Sequence, residues 1–435
     1  MSGIPAALLL ALAIDGEAAL GHASRLAALG PHPLGSPRSE VAAEYVAAQL
    51  REAGLSEVSR QSFRHGSEPG TNVVGVLRGA SAGVILIGAH HDTAPGSPGA
   101  WRGAGVALVI ELAREAAAAG ARPRTLAFVS WDGGLAGGAG QRAFLETLRR
   151  EPEPVVGALV IDGAGWSGGA PAVHVTGVAD VLRPGPRFPP GWLVAAALRN
   201  SGLALGQPYL GWAHQPAVRM ARARTPSGAA PLLQAGIPAV AFWDASPWRP
   251  YVHSGTSSDA ADRLDAASLG RFGAALAAAT ESVALARGSG ADEQWLALGG
   301  RVAGVGVLLA AGAASVVPGL LVAATWGVAL FLLRVVQAAL FGVLLWRHAA
   351  LAMALLLLPN LLPVLPRSRV SLALAAAPAG ATLLLVGTAA LWGRAGQEPY
   401  FAGFWLHPWE LAILGVAFMA ALVRPPRGRK KRRRR

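Results

Sequence analysis

Over the first two-thirds of the chain, apolar residues fall into short runs that switch between helical and strand periods. Ser36-Pro37 reads as a helix N-cap followed by proline at the first helical position. The segment behind it places Val41, Tyr45 and Ala48 on one face at i, i+4 and i+7, and Gly54 fits its end. Asn72 to Leu77, Val84 to Gly88, Thr125 to Trp131, Val155 to Ile161 and Ile237 to Trp243 are aliphatic or β-branched runs of buried-strand length. Gly105 to Ala119 predicts a helix. The Ala-rich stretch Ala266 to Ala286 predicts another that closes the domain. The alternation predicts an α/β domain over residues 15–290, with a mixed, largely parallel sheet flanked by helices. Pro184 to Pro190 is a Pro/Gly-rich loop, Gly288 to Gly290 reads as linker sequence, and residues 291–300 are assigned to the linker.

Beyond it the pattern changes. Val302 to Leu333 runs 32 residues without a charge, interrupted by Pro318. Val335 to Trp346, His348 to Pro366, Val370 to Gly393 and Pro399 to Val423 follow. A spanning helix needs ~20 apolar residues. Residues 301–423 therefore predict an α-helical transmembrane bundle of four to five helices, five being preferred. Basic residues favour the cytoplasmic side, which puts the tail, residues 424–435, inside. Five spans then place the α/β domain outside the cytoplasm, on an integral protein of the plasma membrane; four spans would place it inside. Arg334 and Glu410 fall in the apolar stretches, where a functional role and snorkelling near a span end are both open. At the other terminus, Ile4 to Ile14 is apolar. It reads either as the first turns of a helix continuing past Asp15 or as a shortened signal or anchor over residues 1–14.

Composition changes the picture in three ways. The chain of 435 residues is 53% hydrophobic and 14% charged, and the apolar excess sits in the last third. Formal charge is +13, but Arg424, Arg427, Arg429, Lys430, Lys431 and Arg432 to Arg435 contribute nine, leaving +4 for the rest. That balance does not point to nucleic acid; the tail reads as a topology determinant that contacts anionic membrane lipid. Cysteine is absent, which excludes disulfides and thiolate metal sites.

Five segments carry chemistry. Gly88-Ala89-His90-His91-Asp92-Thr93 closes an apolar strand and is followed by Pro98-Gly99-Ala100. Next come Phe128-Val129-Ser130-Trp131-Asp132-Gly133-Gly134-Leu135-Ala136-Gly137 and then Gln141-Arg142-Ala143-Phe144. Val160-Ile161-Asp162-Gly163 ends a buried strand, and Tyr251-Val252-His253-Ser254 precedes Asp262-Arg263-Leu264. In order and spacing, from Arg25 to the Asp-Arg-Leu-Asp segment, these resemble the dinuclear-zinc aminopeptidases, the family that also holds glutamate carboxypeptidase and the transferrin-receptor ectodomain.

Paired zinc ions need a shared carboxylate between them, neutral imidazole and carboxylate ligands around them, and a further carboxylate to move a proton from the bridging water. The resemblance implies that His90 and Asp162 are first-zinc ligands, that His253 is a second-zinc ligand, and that Asp92 orients His90 from behind. It also implies losses. The bridging Asp corresponds to Arg102, the general-base Glu to Gly134, and the second-zinc Glu to Leu135. Zinc is the cofactor the family implies, but the residual set of His90, Asp162 and His253 falls short of two metals. Arg102 adds repulsion and no lone pair. It is expected instead to fill the vacated place and pair with Asp162 or Asp92. His91 is expected on the opposite strand face, and Asp132 as a structural turn cap, with an alternative alignment making it a ligand. His174 and His214 read as ordinary residues. Trp131, Trp243 and Trp248 read as packing, with a pocket-wall role open for Trp248.

Three functions follow. The first is a membrane-tethered pseudopeptidase that binds a peptide or protein partner, similar in architecture to the peptidase-like subunit of glycosylphosphatidylinositol transamidase. The second is an active zinc exopeptidase with an altered site that uses His91 or Asp132. The third is an assembly factor in which the membrane bundle matters most.

Overall fold

The structure is a computed structural model of the chain. It describes residues 14–148, 153–174, 189–205, 227–245, 251–286, 295–298 and 301–304. The chain divides into two compact units, residues 1–211 with 225–302, and residues 212–224 with 303–435. The described residues belong to the first, apart from Ala303 and Gly304.

Helix α1 (Gly16–Ala28) begins at Asp15, whose side chain accepts from the N–H groups of Glu17 and Ala18. Asp15 has an extended backbone, with ψ 103°. A helix running through this position from Ile4 is thereby overturned: the cap starts the helix here.

Helix α2 (Pro37–Glu52) has the expected cap, with Ser36 Oγ accepting from Ser39 N–H at 3.1 Å. Its buried face differs from the expected one. Ser39, Ala42, Ala43, Val46, Ala47 and Leu50 point inward, while Val41 is 46% exposed. The physical reason is fit. A stripe of alanines lets the helix lie close to the sheet, so Leu50 and the following Leu55 press against Gly75, where an added Cβ would meet Leu55 at 2.5 Å.

The sheet has eight strands: β1 (Glu57–His65), β2 (Glu68–Leu77), β3 (Ser81–His90), β4 (Arg124–Trp131), β5 (Val155–Gly163), β6 (Ala172–His174), β7 (Ala204–Leu205) and β8 (Ala239–Trp243). Their order is β1-β2-β4-β3-β5-β8-β6-β7. The four central strands, β4, β3, β5 and β8, run parallel. Strand β2 joins β1 and β4 antiparallel, and β6 joins β8 antiparallel. The sheet is therefore mixed with a parallel centre, as the alternation predicted. The central strands are buried along most of their length (Ile85 to Ile87, Phe128, Val129, Ala158 to Ile161, Ala239 to Phe242), which is why they read as unbroken apolar runs. Strand β1 was not anticipated. Its Glu57, Arg60, Arg64 and His65 give it the polar surface of an edge strand.

Helices α3 (Ala100–Ala119), α4 (Ala139–Leu148), α5 (Gly191–Leu198), α6 (Ala230–Gln234) and α7 (Ala266–Ala284) flank the sheet. Helix α3 starts five residues before the expected Gly105. Gly99 takes a left-handed turn at φ 69°. The N–H groups of Ala100 and Trp101 are then accepted by the backbone oxygen of Asp259 at 3.1 Å and by its Oδ1 at 3.0 Å. A cap supplied from so far along the chain leaves no local signature.

Strands β9 (Trp295–Leu298) and β10 (Arg301–Gly304) pair as a separate two-stranded sheet where linker and first apolar run were expected. Among the described residues no helix is long and apolar enough to cross a membrane. The expected bundle beyond residue 304, the basic tail and residues 1–13 lie outside the described residues, as do His214 and Trp248.

Candidate functional site

The parallel strands deliver the site residues to one edge of the sheet. His90 ends β3 and pairs with Trp131 of β4. On its other side Gly88 pairs with Val160 of β5, the strand whose last residues are Asp162 and Gly163. Arg102 lies in the first turn of α3, and Gly133 to Gly138 form the loop that follows β4. Ligand sites of parallel α/β sheets lie at this carboxyl edge.

His90 is buried and bonded on both nitrogens. Nδ1 lies 2.9 Å from Asp92 Oδ1, and Nε2 lies 3.1 Å from Arg102 Nη1. A guanidinium only donates, so Nε2 must be the acceptor and the ring proton sits on Nδ1, donating to Asp92. Asp92 also accepts from the N–H groups of Gly134 at 2.7 Å and Leu135 at 3.0 Å. Burial alone would push the Asp92 carboxyl up. The attraction and hydrogen bond of His90, with the Leu135 N–H, outweigh it and hold the group below the ordinary carboxylate value.

Arg102 does fill the vacated place, but not with the expected partner. Among the described residues no carboxylate stands at ion-pair distance from its guanidinium. The expected pairing with Asp162 or Asp92 is corrected to a hydrogen bond with His90. The reason is that Asp92 spends its oxygens on His90 and two backbone donors, which leaves the imidazole lone pair as the nearest acceptor. The guanidinium carbon lies 5.9 Å from the centre of the Trp101 ring.

The two other altered positions close on the His90–Asp92 pair, Gly134 on the imidazole and Leu135 through its N–H on the carboxylate. A Cβ on Gly134 would lie 2.4 Å from His90 Cγ, so the loop packs directly on the imidazole face. A glutamate here would need a different loop path. Gly134→Ala is expected to cost roughly 1–3 kcal/mol of stability by overpacking, read from urea unfolding; an unchanged midpoint would show that the loop yields freely. Leu135 presents its N–H to Asp92 while its side chain is 43% exposed.

Asp162 ends β5, buried. Its Oδ1 accepts from Gly228 N–H at 2.9 Å, whereas Oδ2 is buried with no partner among the described residues. His253 lies in the loop before α7, with Nδ1 3.0 Å from Ser258 Oγ and its ring edge-on to Tyr251.

His91 faces away from His90, as strand alternation requires. It is fully buried, with Nδ1 2.8 Å from Ser130 Oγ and Nε2 3.9 Å from Asp132 Oδ2. Burial pushes its pKa down to about 3. Asp132 is a tie between elements. It accepts from Ser39 Oγ of α2 at 3.0 Å, from Thr71 N–H of β2 at 3.3 Å and from Gly133 N–H at 2.8 Å. Burial, aided by the charge of Asp92, raises it to about 6. Its alternative role as a ligand finds no support in this geometry. Trp131 and Trp243 are buried, and His174 is buried with its ring stacked on Trp243.

Sequence reasoning missed Asp244 and Asp259. Asp244 accepts from Trp101 Nε1 at 2.6 Å and Trp166 N–H at 2.7 Å, and burial raises it to about 6. Asp259 holds the start of α3 and accepts from the Tyr251 hydroxyl at 3.0 Å. Asp244 had a signal: it directly follows the end of a buried parallel strand.

These residues do not fit a pair of zinc ions. The lone pair of His90 is taken by Arg102, and positions 102, 134 and 135 hold no carboxylate. Among the described residues no group of three or more His, Cys, Asp or Glu is placed to hold one metal. Among the described residues, Asp162 Oδ2 and Asp259 Oδ2 are buried carboxylate oxygens without a partner that would suit a cation.

Residues 72–280 match the profile of peptidase family M28. No curated protein matches the chain in sequence. Among solved structures, the LapA aminopeptidase of Legionella pneumophila is 18% identical, with 63% of this chain and 72% of that one covered at a TM-score of 0.51. The aminopeptidase of Aneurinibacillus sp. strain AM-1 is 14% identical over 65% of this chain and 97% of its own, at a TM-score of 0.48. The glutaminyl cyclase of Porphyromonas gingivalis is 17% identical over 61% and 98%, at a TM-score of 0.46. At 18% identity the likeness to LapA is one of fold. With its motifs in family order and its profile match, the α/β domain of this chain belongs to peptidase family M28, a zinc-exopeptidase-like family.

Proposed function

We propose that this chain is a membrane-anchored pseudopeptidase that keeps the family cleft to bind a peptide or protein partner and does not hydrolyse it. One observation carries the reading: Arg102 donates to His90 Nε2, the atom a metal would need. Filling that atom with a guanidinium removes a ligand and adds a positive charge where two divalent cations would sit. With no carboxylate at position 134, nothing there takes the proton of an attacking water.

Membrane anchoring is part of the proposal, supported by the apolar runs between Val302 and Val423 and the basic tail. On this reading the domain lies outside the cytoplasm at the plasma membrane, and the tail contacts anionic lipid inside.

The test is metal content and turnover of the purified full-length chain. Well under one zinc per chain is expected, with no release of reporter from aminoacyl substrates. Two zincs per chain, with hydrolysis abolished by His90→Ala, would overturn the proposal and establish the active zinc exopeptidase in its place.

A further inference from the structure

We propose that the site holds a peptide by a carboxylate, taken up on the unused N–H groups of Arg102. This rests on the metal-free reading above and names the contact by which the partner of that reading is held.

A guanidinium has five N–H donors in a rigid fork and no acceptor. Among the described residues Arg102 gives a single hydrogen bond, from Nη1 to His90 Nε2 at 3.1 Å. That bond leaves its charge unanswered, because the His90 ring accepts it as a neutral group. The acids of the neighbouring loops are committed elsewhere. Asp92 takes Nδ1 of His90 and the N–H groups of Gly134 and Leu135. Asp244 accepts from Trp101 Nε1 and from Trp166 N–H. Asp259 accepts on Oδ1 from Trp101 N–H and from the Tyr251 hydroxyl. None of the three stands at ion-pair distance from Arg102. A half-buried cation with most of its donors idle carries a desolvation cost that an anionic ligand offsets.

Its placement suits a carboxylate. Arg102 lies in the first turn of α3, at the carboxyl edge of the parallel strands, and that turn holds no acidic residue. The positive end of the helix adds to its charge. His90 holds Nη1, and the guanidinium carbon lies 5.9 Å from the centre of the Trp101 ring. His90 is fixed in turn by Asp92, and Asp92 by two backbone donors. A fork held this way meets a planar carboxylate through two parallel N–H···O bonds at little ordering cost. The loop that closes on the His90–Asp92 pair also carries Leu135, whose side chain is 43% exposed. Aliphatic surface on that loop suits a peptide chain rather than an inorganic anion. The carboxylate comes from a chain terminus or from an acidic side chain; the chemistry at Arg102 is the same.

The experiment is calorimetric titration of the purified full-length chain, with zinc content measured on the same sample. The probes are acetyl-Ala-Ala-Ala-Leu as the free acid, the same peptide as its C-terminal amide, acetyl-Ala-Glu-Ala-Leu amide, and inorganic phosphate. A peptide with a carboxylate is expected to bind at least about tenfold more tightly than the plain amide, since a charged hydrogen-bonding pair is gained. If the free acid alone has this advantage, the source is the chain terminus; if the glutamate amide has it, the source is a side chain. Arg102→Gln should remove the advantage. Arg102→Lys keeps the charge without the fork and should retain part of it, a graded pattern that a general loss of folding does not produce. Equal binding of the three peptides overturns the proposal, as does phosphate binding as tightly as the best of them, or an advantage that survives Arg102→Gln. A zinc-free, inactive chain that binds none of the peptides sinks this inference alone and leaves the pseudopeptidase reading standing. Two zincs per chain with hydrolysis would remove that reading as well.

Discussion

Acidification from pH 7 to pH 3.5 is expected to cost the wild-type chain roughly 4 kcal/mol more stability than a His91→Asn variant. His91 is fully buried, and burial brings its pKa down to about 3 from an ordinary 6.5. Below pH 6.5 the unfolded chain takes up a proton that the folded chain refuses. The stability tied to neutral His91 is therefore complete above pH 6.5 and drains away as pH falls toward 3. Asp132 and Asp244 work the other way. Burial raises both to about 6, so their protonation favours the folded chain as pH drops. They are common to both proteins and largely cancel in the comparison. Asparagine keeps a polar group near Ser130, and the volume it gives up acts equally at every pH. Urea titrations at several pH values decide the matter. Parallel stability profiles for the two proteins would show that His91 is not kept neutral by the fold.

Trp131→Ala should cost about 3–5 kcal/mol at neutral pH, the range for removing a large buried aromatic. The ring has no exposed surface and meets Phe144 edge-on at 6.2 Å. It covers the strand position of Gly88, where an added Cβ would lie 2.3 Å from the indole. The strand under it carries His90 two residues later. Its Nε1 is buried with no partner among the described residues. Trp131→Phe should therefore cost much less, since it keeps most of the ring and removes an orphaned donor. Denaturation midpoints of the two variants supply the check. A loss for phenylalanine as large as for alanine would mean the indole nitrogen has a partner after all.

The parts of this domain that could be read from sequence are those decided locally. Strands β3, β4, β5 and β8 are apolar without a break because both their faces are covered. The helix cap at Ser36 and the pairing of His90 with Asp92 depend on residues within three positions of each other. What failed depends on distant or unusual partners. The inward face of α2 is built largely of alanines, which give a weaker apolar signal than the exposed Val41. Helix α3 starts early because Asp259 takes its first N–H groups. The absence of carboxylates at Arg102, Gly134 and Leu135 was legible in the sequence, but the partner of Arg102 was not. Predicting it required knowing that Asp92 would be saturated by backbone donors, which left an imidazole as the acceptor.

The link from Asp259 to Ala100 and Trp101 also bears on the order of assembly during synthesis. The turn that carries Arg102 leaves the ribosome long before the residue that secures it. Until then its amides are answered only by water. A chain cut short before position 259 keeps all four central strands yet lacks the clasp that seats the arginine, so this corner of the domain is set among its final steps rather than with the sheet.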